Sequence, residues 1–448
     1  MYPSLPADSN TDLARYIRSA PLSDTHEHLQ TEALSIQCPP DVLLDLFDNY
    51  VKADLIVAGA PPEAVDQLID ASNKDLRSRF VPIRKAWECC RHTGYGEAVS
   101  FIAQHFYGMD EITPETIESA QERAPALRRP GKRLEMLQQA GIDHVQIDDF
   151  AWKCVPDLSG PDFFLYDLSW VNFCQGQIDT QALHADVKID VKDLETLRAA
   201  MAALFAKYGP CAIAVKSQHA YNRTLRWEEH SEADVASVLR KVLGKEEIGE
   251  AERCVLGDWC WARGVELATD YNLPFKIHTG YYAGHSRMPV ERIRSGHLCA
   301  LLARYPKAKF VLMHIAYPYS EELIALAKHY PNVWVDLCWA WSINPYTATD
   351  FVRRFLHAVP ANKLFGFGGD SFRPCHSVAY AVQARQGIRR SLEAEVAEGM
   401  LSERQALALA ERLMRTNQQE CFDLEGTRRS IREAMSVQPP SPMASLET

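Results

Sequence analysis

The stretch Phe310-Val-Leu-Met-His314 is a short apolar run that ends in a histidine. Similar short runs recur along the chain and also end in polar or charged residues: Leu22-Ser-Asp-Thr-His-Glu-His28, Asp143-His-Val-Gln-Ile-Asp148, Phe163-Phe-Leu-Tyr-Asp167, Cys211-Ala-Ile-Ala-Val-Lys216, Phe275-Lys-Ile-His278, Val333-Trp-Val-Asp336 and Leu364-Phe-Gly-Phe-Gly-Gly-Asp370. Short and mostly apolar runs are typical of parallel strands that are buried on both faces. Together these runs predict eight strands.

Longer segments with apolar residues at helical spacing separate the predicted strands, as at 233–244, 249–271, 288–305 and 320–330. Strands that alternate with helices favour βα units and a parallel sheet. The sequence therefore predicts an α/β fold, a (β/α)₈ barrel. A barrel with insertions can absorb the whole chain, 1–448, as one unit.

Segment 35–135 does not follow this alternation, because it is rich in helix formers and in aromatic residues such as Trp87, Phe106 and Tyr107. We expect a helical insertion after the first strand, placed where it can cover the barrel mouth as a lid. A separate small domain is the alternative. The last residues, 437–448, are rich in proline and serine, which predicts a flexible tail.

Net charge, apolar stretches and cysteine spacing indicate which kinds of partner and which cell compartment to expect. A net charge of -11 argues against general nucleic-acid binding, which needs clustered lysine and arginine. We expect no signal peptide and no membrane-spanning segment, because residues 1–13 lack a basic stretch followed by an apolar run and no apolar stretch is long enough to span a bilayer. The 12 cysteines are scattered without zinc-site spacing, which favours buried free thiols in a reducing cytoplasm. We expect a cytoplasmic protein with a small-molecule substrate, and a homo-oligomer is left open.

Histidines and a carboxylate recur at the predicted strand ends. His26 and His28 are two residues apart, so both side chains point to the same face of a strand. Alone, such a pair is more often structural than metal-binding, but His278, His314 and Asp370 also end predicted strands. Since the carboxyl ends of barrel strands form the active-site face, these residues should converge there. Nitrogen and oxygen ligands with an open position for water are typical of zinc and similar divalent ions.

The order of these residues resembles the amidohydrolase superfamily. That family carries His-x-His on strand 1, a lysine on strand 4, histidines on strands 5 and 6, and an aspartate on strand 8, and this sequence supplies Lys216 at the fourth position. Three stretches are also similar to the amidohydrolase-related branch, which includes decarboxylases and domains fused to glutamine synthetases in nodulin-like proteins: His314-Ile-Ala-Tyr-Pro, Tyr330-Pro-Asn-Val-Trp-Val-Asp336-Leu and Asn362-Lys-Leu-Phe-Gly-Phe-Gly-Gly-Asp370.

The resemblance implies a metal site and roles for its residues. Asp370 is expected to act as general base, and His314 to contact the water or the substrate carbonyl. Lys216 would bridge two ions if carboxylated, or act as a cation facing the substrate if free. One divalent ion is favoured, zinc above manganese or iron, and two if Lys216 is carboxylated. The expected ligands of the first ion are His26, His28, His278 and Asp370.

Further residues are candidates for substrate binding. Arginine side chains match a carboxylate with two parallel hydrogen bonds, and residues that follow strand ends should line the pocket. A structural role is the alternative for each of them. The candidates are Arg223, Tyr281, Tyr282, His285, Trp339 and Arg373.

The expected activity is hydrolysis of an amide, lactone or related bond in a small carboxylated substrate, through water activated by the metal. Non-oxidative decarboxylation of an aromatic acid is an alternative at the same site. The start Asp-Thr-His26-Glu-His28-Leu, the long insertion and Asp370-Ser-Phe-Arg373 also resemble uronate isomerases. A metal-bound structural or regulatory domain is the non-enzymatic alternative.

Overall fold

The fold is described by a computed structural model that covers residues 11–437. Within that range eight parallel strands form one sheet, in which each strand pairs with the next along the chain. The predicted strands are confirmed, with bounds that differ by a few residues. They are β1 (Leu22–Glu27), β2 (Ile142–Ile147), β3 (Phe164–Ser169), β4 (Ala212–Ser217), β5 (Phe275–Ile277), β6 (Phe310–Met313), β7 (Val333–Asp336) and β8 (Leu364–Phe365).

Backbone hydrogen bonds between β1 and the segment after β8 close the sheet. The N–H of Thr25 donates to the carbonyl of Phe367 (3.1 Å), and the N–H of Asp370 donates to the carbonyl of His26 (2.8 Å). The N–H of His28 donates to Ser371 in the same way (3.0 Å). The predicted (β/α)₈ barrel is therefore confirmed, and its closure brings the carboxyl end of β1 against Asp370.

The chain between β1 and β2 is helical, as predicted for 35–135. Side chains of Thr93 and Thr113 cap two of its helices by accepting backbone N–H groups, and Pro114 occupies a first turn, where its missing donor costs nothing. Its apolar residues belong to the same hydrophobic cluster as the strands. After α1 (Asp12–Ser19), this part contains α2 (Glu32–Gln37), α3 (Val42–Phe47), α4 (Val51–Val57), α5 (Pro62–Leu68), α6 (Leu76–Phe80), α7 (Arg84–Cys90), α8 (Gly94–Tyr107), α9 (Pro114–Ala120) and α10 (Lys132–Gln139).

Helices surround the barrel in the remaining chain, and the predicted helices at 233–244, 249–271 and 320–330 correspond to α14, α15 and α17. None of the helices in the described residues is long and apolar enough to cross a membrane. The elements are α11 (Val171–Cys174), α12 (Thr180–Val187), α13 (Leu194–Tyr208), α14 (Glu232–Leu243), α15 (Glu250–Asp270), α16 (Cys299–Arg304), α17 (Ser320–His329), α18 (Ala340–Ile343), α19 (Pro345–Ala358), α20 (Pro374–Ala397), α21 (Glu403–Glu411), α22 (Asn417–Cys421) and α23 (Leu424–Val437).

The prediction of one helix over 288–305 is wrong in its first two thirds. Two short 3₁₀ turns, Val290–Ile293 and Ser295–Leu298, precede α16. Pro289 lacks a backbone donor, and Gly296 is a poor helix former, so the segment does not sustain a continuous helix. The predicted tail, 437–448, lies outside the described residues except for its first position.

Candidate metal centre and active site

The end of β1 places two histidines beside one aspartate. Nε2 of His26 lies 3.5 Å from Oδ1 of Asp370, and Nε2 of His28 lies 3.3 Å from the same oxygen. The Nδ1–H of His28 donates to the carbonyl of Asp148 at 2.5 Å, which leaves the lone pair of Nε2 directed at the cluster. Ligand atoms of these two histidines and Asp370 lie within 4.8 Å of one another. The structure thus brings together three of the four predicted ligands.

His278, the fourth predicted ligand, does not join this cluster in the structure. Its Nε2 lies 3.1 Å from the carbonyl oxygen of Tyr281, to which it can donate. Its ring packs on His314, with 4.4 Å between ring centroids. Since one ring nitrogen is engaged by a carbonyl, only Nδ1 is left for an ion. The role of His278 as a metal ligand therefore stays a prediction.

His314 lies on the opposite side of the carboxylate. Its Nε2 is 3.9 Å from Oδ2 of Asp370. The side chain is completely buried, yet neither ring nitrogen has a hydrogen-bond partner. Leaving a buried polar group without a hydrogen-bond partner costs about 1–3 kcal/mol, so His314 is well suited to bind a ligand.

The protonation states of the cluster suit a divalent ion. Burial lowers the pKa of His26 and of His314 well below the ordinary value, and lowers the pKa of His278 to about 3. Burial acts to raise the pKa of Asp370, but the hydrogen bond and positive potential of His28 outweigh it and hold that pKa below its usual range. Burial acts to lower the pKa of His28, but its hydrogen bond to Asp370 raises that pKa above the ordinary value. Neutral imidazoles and an ionised carboxylate are the forms that bind metal, so an ion at Nε2 of His28 would take the place of a proton. The unpartnered nitrogens of His314 further fit a bound cation.

Lys216 lies at the end of β4 and reaches the same cluster. Its Nζ donates to Nε2 of His26 at 3.1 Å, and the lysine side chain is almost completely buried. A lone pair on Nε2 serves one partner at a time, so an ion bound at this nitrogen and this hydrogen bond exclude each other.

Cys338 is a neighbour of the site that sequence reasoning missed. It is fully buried, and its Sγ lies within 4.8 Å of ligand atoms of both His314 and Asp370. The only available signal was its position two residues after Asp336, at the end of β7, where side chains reach the barrel mouth.

Aromatic rings enclose the cluster. The predicted wall residue Trp339 packs on His314 (5.8 Å between ring centroids) and on Tyr50 (4.0 Å). The hydroxyl of Tyr50 donates to the backbone carbonyl of Asp370 at 2.5 Å. Tyr281, another predicted residue, lies 6.5 Å from Trp339. Tyr50 belongs to the insertion between α3 and α4, and no local sequence pattern identified it.

Two of the predicted residues lie at a cavity of about 520 Å³ beside these rings. His285 and Arg373 both line it, together with Tyr50 and Lys52. The guanidinium of Arg373 donates to Asp48 at 2.8 Å, so part of its charge is already paired. The helical insertion and the loops after β5 and β8 therefore share a cavity next to Asp370.

Arg223 and Tyr282 are held by neighbouring protein groups. The Arg223 guanidinium is buried, pairs with Asp258 at 2.5 Å and donates to the carbonyls of Cys174 and Arg226. The hydroxyl of Tyr282 donates to the carbonyl of Ala220. These contacts give both side chains a structural role, and their contact with substrate stays a prediction.

Comparison with known proteins agrees with the site. Residues 190–402 match the family model described as Amidohydrolase. Over this segment the chain is similar to the amidohydrolases, and the eight-stranded barrel and the cluster of possible metal ligands agree with that similarity.

Individual relatives are more distant. Protein fluG of Emericella nidulans is 26% identical over 229 residues, which are 48% of this chain and 26% of that protein. The match therefore spans only about a quarter of the relative's length. Uronate isomerase from Thermotoga maritima superimposes with a TM-score of 0.76 at 14% identity, covering 92% of this chain and 97% of that one. Glucuronate isomerase from Caulobacter crescentus superimposes with a TM-score of 0.76 at 14% identity, covering 95% of this chain and 96% of that one. At this identity the two structures show a shared fold.

Proposed function

We propose that this protein is a metal-dependent hydrolase that cleaves an amide, lactone or related bond of a small carboxylated molecule. One observation carries the proposal: the ionised Asp370 carboxylate lies 3.3–3.9 Å from ring nitrogens of His28, His26 and His314 at the barrel mouth. A carboxylate beside neutral imidazoles suits both metal binding and proton transfer.

The ion would be held by His26, His28 and Asp370, with zinc favoured over manganese or iron. When bound, it supplies a Lewis acid that lowers the pKa of water toward about 7. Asp370 is the proposed general base, because its carboxylate is ionised and lies beside the ion that would activate the water. In a site with one ion, His314, with both nitrogens unpartnered, contacts the substrate carbonyl. Lys216 contributes a positive charge next to His26.

The cavity beside Asp370 is the proposed substrate site. Its Arg373 has an unpartnered, buried Nε, which makes it the best placed group for a substrate carboxylate. His285 lies on the opposite loop, and Tyr281 and Trp339 provide an aromatic wall. A cavity of about 520 Å³ is of the size that holds a small molecule.

The helical insertion is the proposed lid over this cavity. Two residues of the insertion contact the loop after β8. The Tyr50 hydroxyl donates a hydrogen bond to the carbonyl of Asp370, and the Asp48 carboxylate accepts one from Arg373. Lids of this kind exclude water and complete a binding site. Free thiols suit a reducing compartment, and the cytoplasm is the proposed location.

Isotope labelling tests the reaction class directly. The metal-loaded protein is incubated with a panel of carboxylated amides, lactones and esters in water enriched in oxygen-18. Hydrolysis places one labelled oxygen in the acid product. Asp370→Asn should lower kcat/KM by about 10²–10⁴-fold, the usual contribution of a general base. Asp110→Asn, which alters an exposed aspartate that does not line the cavity, is the matched control and should retain activity. Turnover without incorporation of the label would overturn the hydrolase proposal.

Isomerisation of a uronic acid is the second candidate. It is favoured by the charged lining of the cavity, where Asp48, Lys52 and Arg373 could hold a polyhydroxy acid. The two isomerase structures share the fold over more than nine tenths of this chain. Isomerisation leaves the substrate mass unchanged, whereas decarboxylation of an aromatic acid releases CO₂, so the same panel extended with uronates and hydroxybenzoates separates all three reactions.

A further inference from the structure

A second set of metal-ligand atoms lies beside the first. The set consists of His314, Cys338 and Asp370, whose ligand atoms all lie within 4.8 Å of one another and whose side chains are all buried. Cys338 follows β7 with its backbone at φ +46°, a left-handed conformation that is uncommon for a residue with a side chain. Such conformations persist where the surroundings impose them, and they cluster at functional sites.

His314 gives an independent indication of a ligand at this position. It is fully buried, both of its ring nitrogens lack a partner, and one of them faces Asp370 and Cys338. Gly368 leaves the space that the sulfur occupies, because a β-carbon at that position would lie only 3.1 Å from Sγ. The surroundings thus combine a buried sulfur atom, a buried carboxylate and an imidazole without a hydrogen-bond partner.

We propose that His314, Cys338 and Asp370 form a second, thiophilic divalent-metal site, with the Asp370 carboxylate shared between the two ions. The two carboxylate oxygens of Asp370 already face different histidines. Oδ1 lies 3.3 Å from Nε2 of His28, and Oδ2 lies 3.9 Å from Nε2 of His314. Sulfur, nitrogen and oxygen ligands together are a donor set of zinc.

The distances require only a small adjustment. Metal–sulfur and metal–nitrogen bonds of about 2.3 and 2.0 Å in a tetrahedral site separate sulfur from nitrogen by about 3.5 Å. Atoms that lie within 4.8 Å of one another would therefore move by about 1 Å on binding. The Cys338 thiol gives up its proton to solvent as the sulfur–metal bond forms, so charge and atoms balance without a redox partner. The site does not need a carboxylated Lys216.

Titration with cobalt tests the proposal on the full chain. The metal-stripped protein is titrated with Co²⁺ alone, because a thiolate bound to cobalt gives a sulfur-to-metal charge-transfer band in the near ultraviolet. We expect two ions per chain and a band that grows with one of the two equivalents. Cys338→Ser should bind one ion and lack the band. Cys260→Ser, which alters another fully buried cysteine in α15, should bind two ions and keep it.

Each possible result of the cobalt titration either supports or overturns the second site. One ion in the wild-type protein, two ions without a sulfur band, or an unchanged band in Cys338→Ser would each overturn the second site. If Cys338→Ser fails to fold, His314→Ala provides the same test, because it should also lose one ion and the band. Hydrolysis by a protein that binds only one ion would leave the proposed function standing, so the two proposals fail separately.

Discussion

Gly369 has no room for a side chain, and Gly369→Ala tests how closely the catalytic segment is fitted to β1. A β-carbon at Gly369 would lie 1.9 Å from Oε1 and 2.7 Å from Cδ of Glu27. Non-bonded atoms prefer about 3.5 Å, so one group must move by more than about 1 Å. Glu27 has little freedom, because it is fully buried and its Oε2 accepts the N–H of Ser371 at 2.6 Å. The displacement should therefore reach Asp370, which lies between these two contacts in the chain.

The magnitude follows from two costs. Overpacking a well-packed interior costs about 1–3 kcal/mol, and a lost hydrogen bond to a buried carboxylate costs about 1–3 kcal/mol more. Gly369→Ala should thus lower the free energy of unfolding by about 2–6 kcal/mol. A shift of about 1 Å in a reacting group can cost about 100-fold in rate, and we expect a loss of that order in kcat/KM.

Urea unfolding and steady-state kinetics measure both effects. Gly249→Ala is the matched control, since a β-carbon there meets no atom within 4 Å. In a Glu27→Ala background, where the obstructing carboxylate is gone, Gly369→Ala should cost far less than it does in the wild-type protein. An equal cost in both backgrounds, or wild-type stability and activity in the single variant, would refute the steric argument.

Three further variants probe other contacts. Tyr50→Phe removes the hydroxyl that donates to the Asp370 carbonyl, and should lower kcat/KM by about 3–10-fold, the value of one neutral hydrogen bond; unchanged kinetics would contradict this. Asp258→Ala leaves Arg223 buried without its carboxylate, and should cost about 3–5 kcal/mol in urea unfolding with KM unchanged; a raised KM at full stability would instead place Arg223 at the substrate. Burial raises the pKa of Asp336 from 3.8 to about 7, so the folded state holds its proton more tightly than the unfolded state does, and stability falls as pH rises between these values. Metal-free Asp336→Asn lacks this slope and should gain at most about 4 kcal/mol relative to wild type from about pH 4 to about pH 8; parallel stability curves would contradict it.

The barrel and three residues of the candidate metal site could be predicted from the sequence for a physical reason. Strands buried on both faces must be apolar along their length, so a polar residue at the end of such a run is visible as an exception. Barrel topology then brings those ends together whatever the intervening sequence. His26, His28 and Asp370 follow from this argument, since each one lies at or near the end of a short, mostly apolar run of the sequence.

Contacts that depend on packing between distant segments could not be predicted. Tyr50 reaches Asp370 from the insertion, across 320 residues of sequence, and no periodic pattern encodes that approach. Arg223 has the residue type for substrate binding, but its partner Asp258 lies on α15, on a helix face that the sequence did not connect with it. His278 stands at the predicted strand end, yet its ring orientation is set by the carbonyl of Tyr281.

The hydrogen bond from Lys216 to His26 connects the two proposals. An ion at Nε2 of His26 must displace that bond, which releases a buried ammonium group into the site. A second ion beside a free ammonium group needs anionic ligands to offset the added charge. The Cys338 thiolate supplies one negative charge on the side of His314, and the shared Asp370 carboxylate contributes to both ions, so part of the added charge is offset there without carboxylation of the lysine. On this argument Lys216 remains a cation in the loaded enzyme and is free to attract the carboxylate of the substrate.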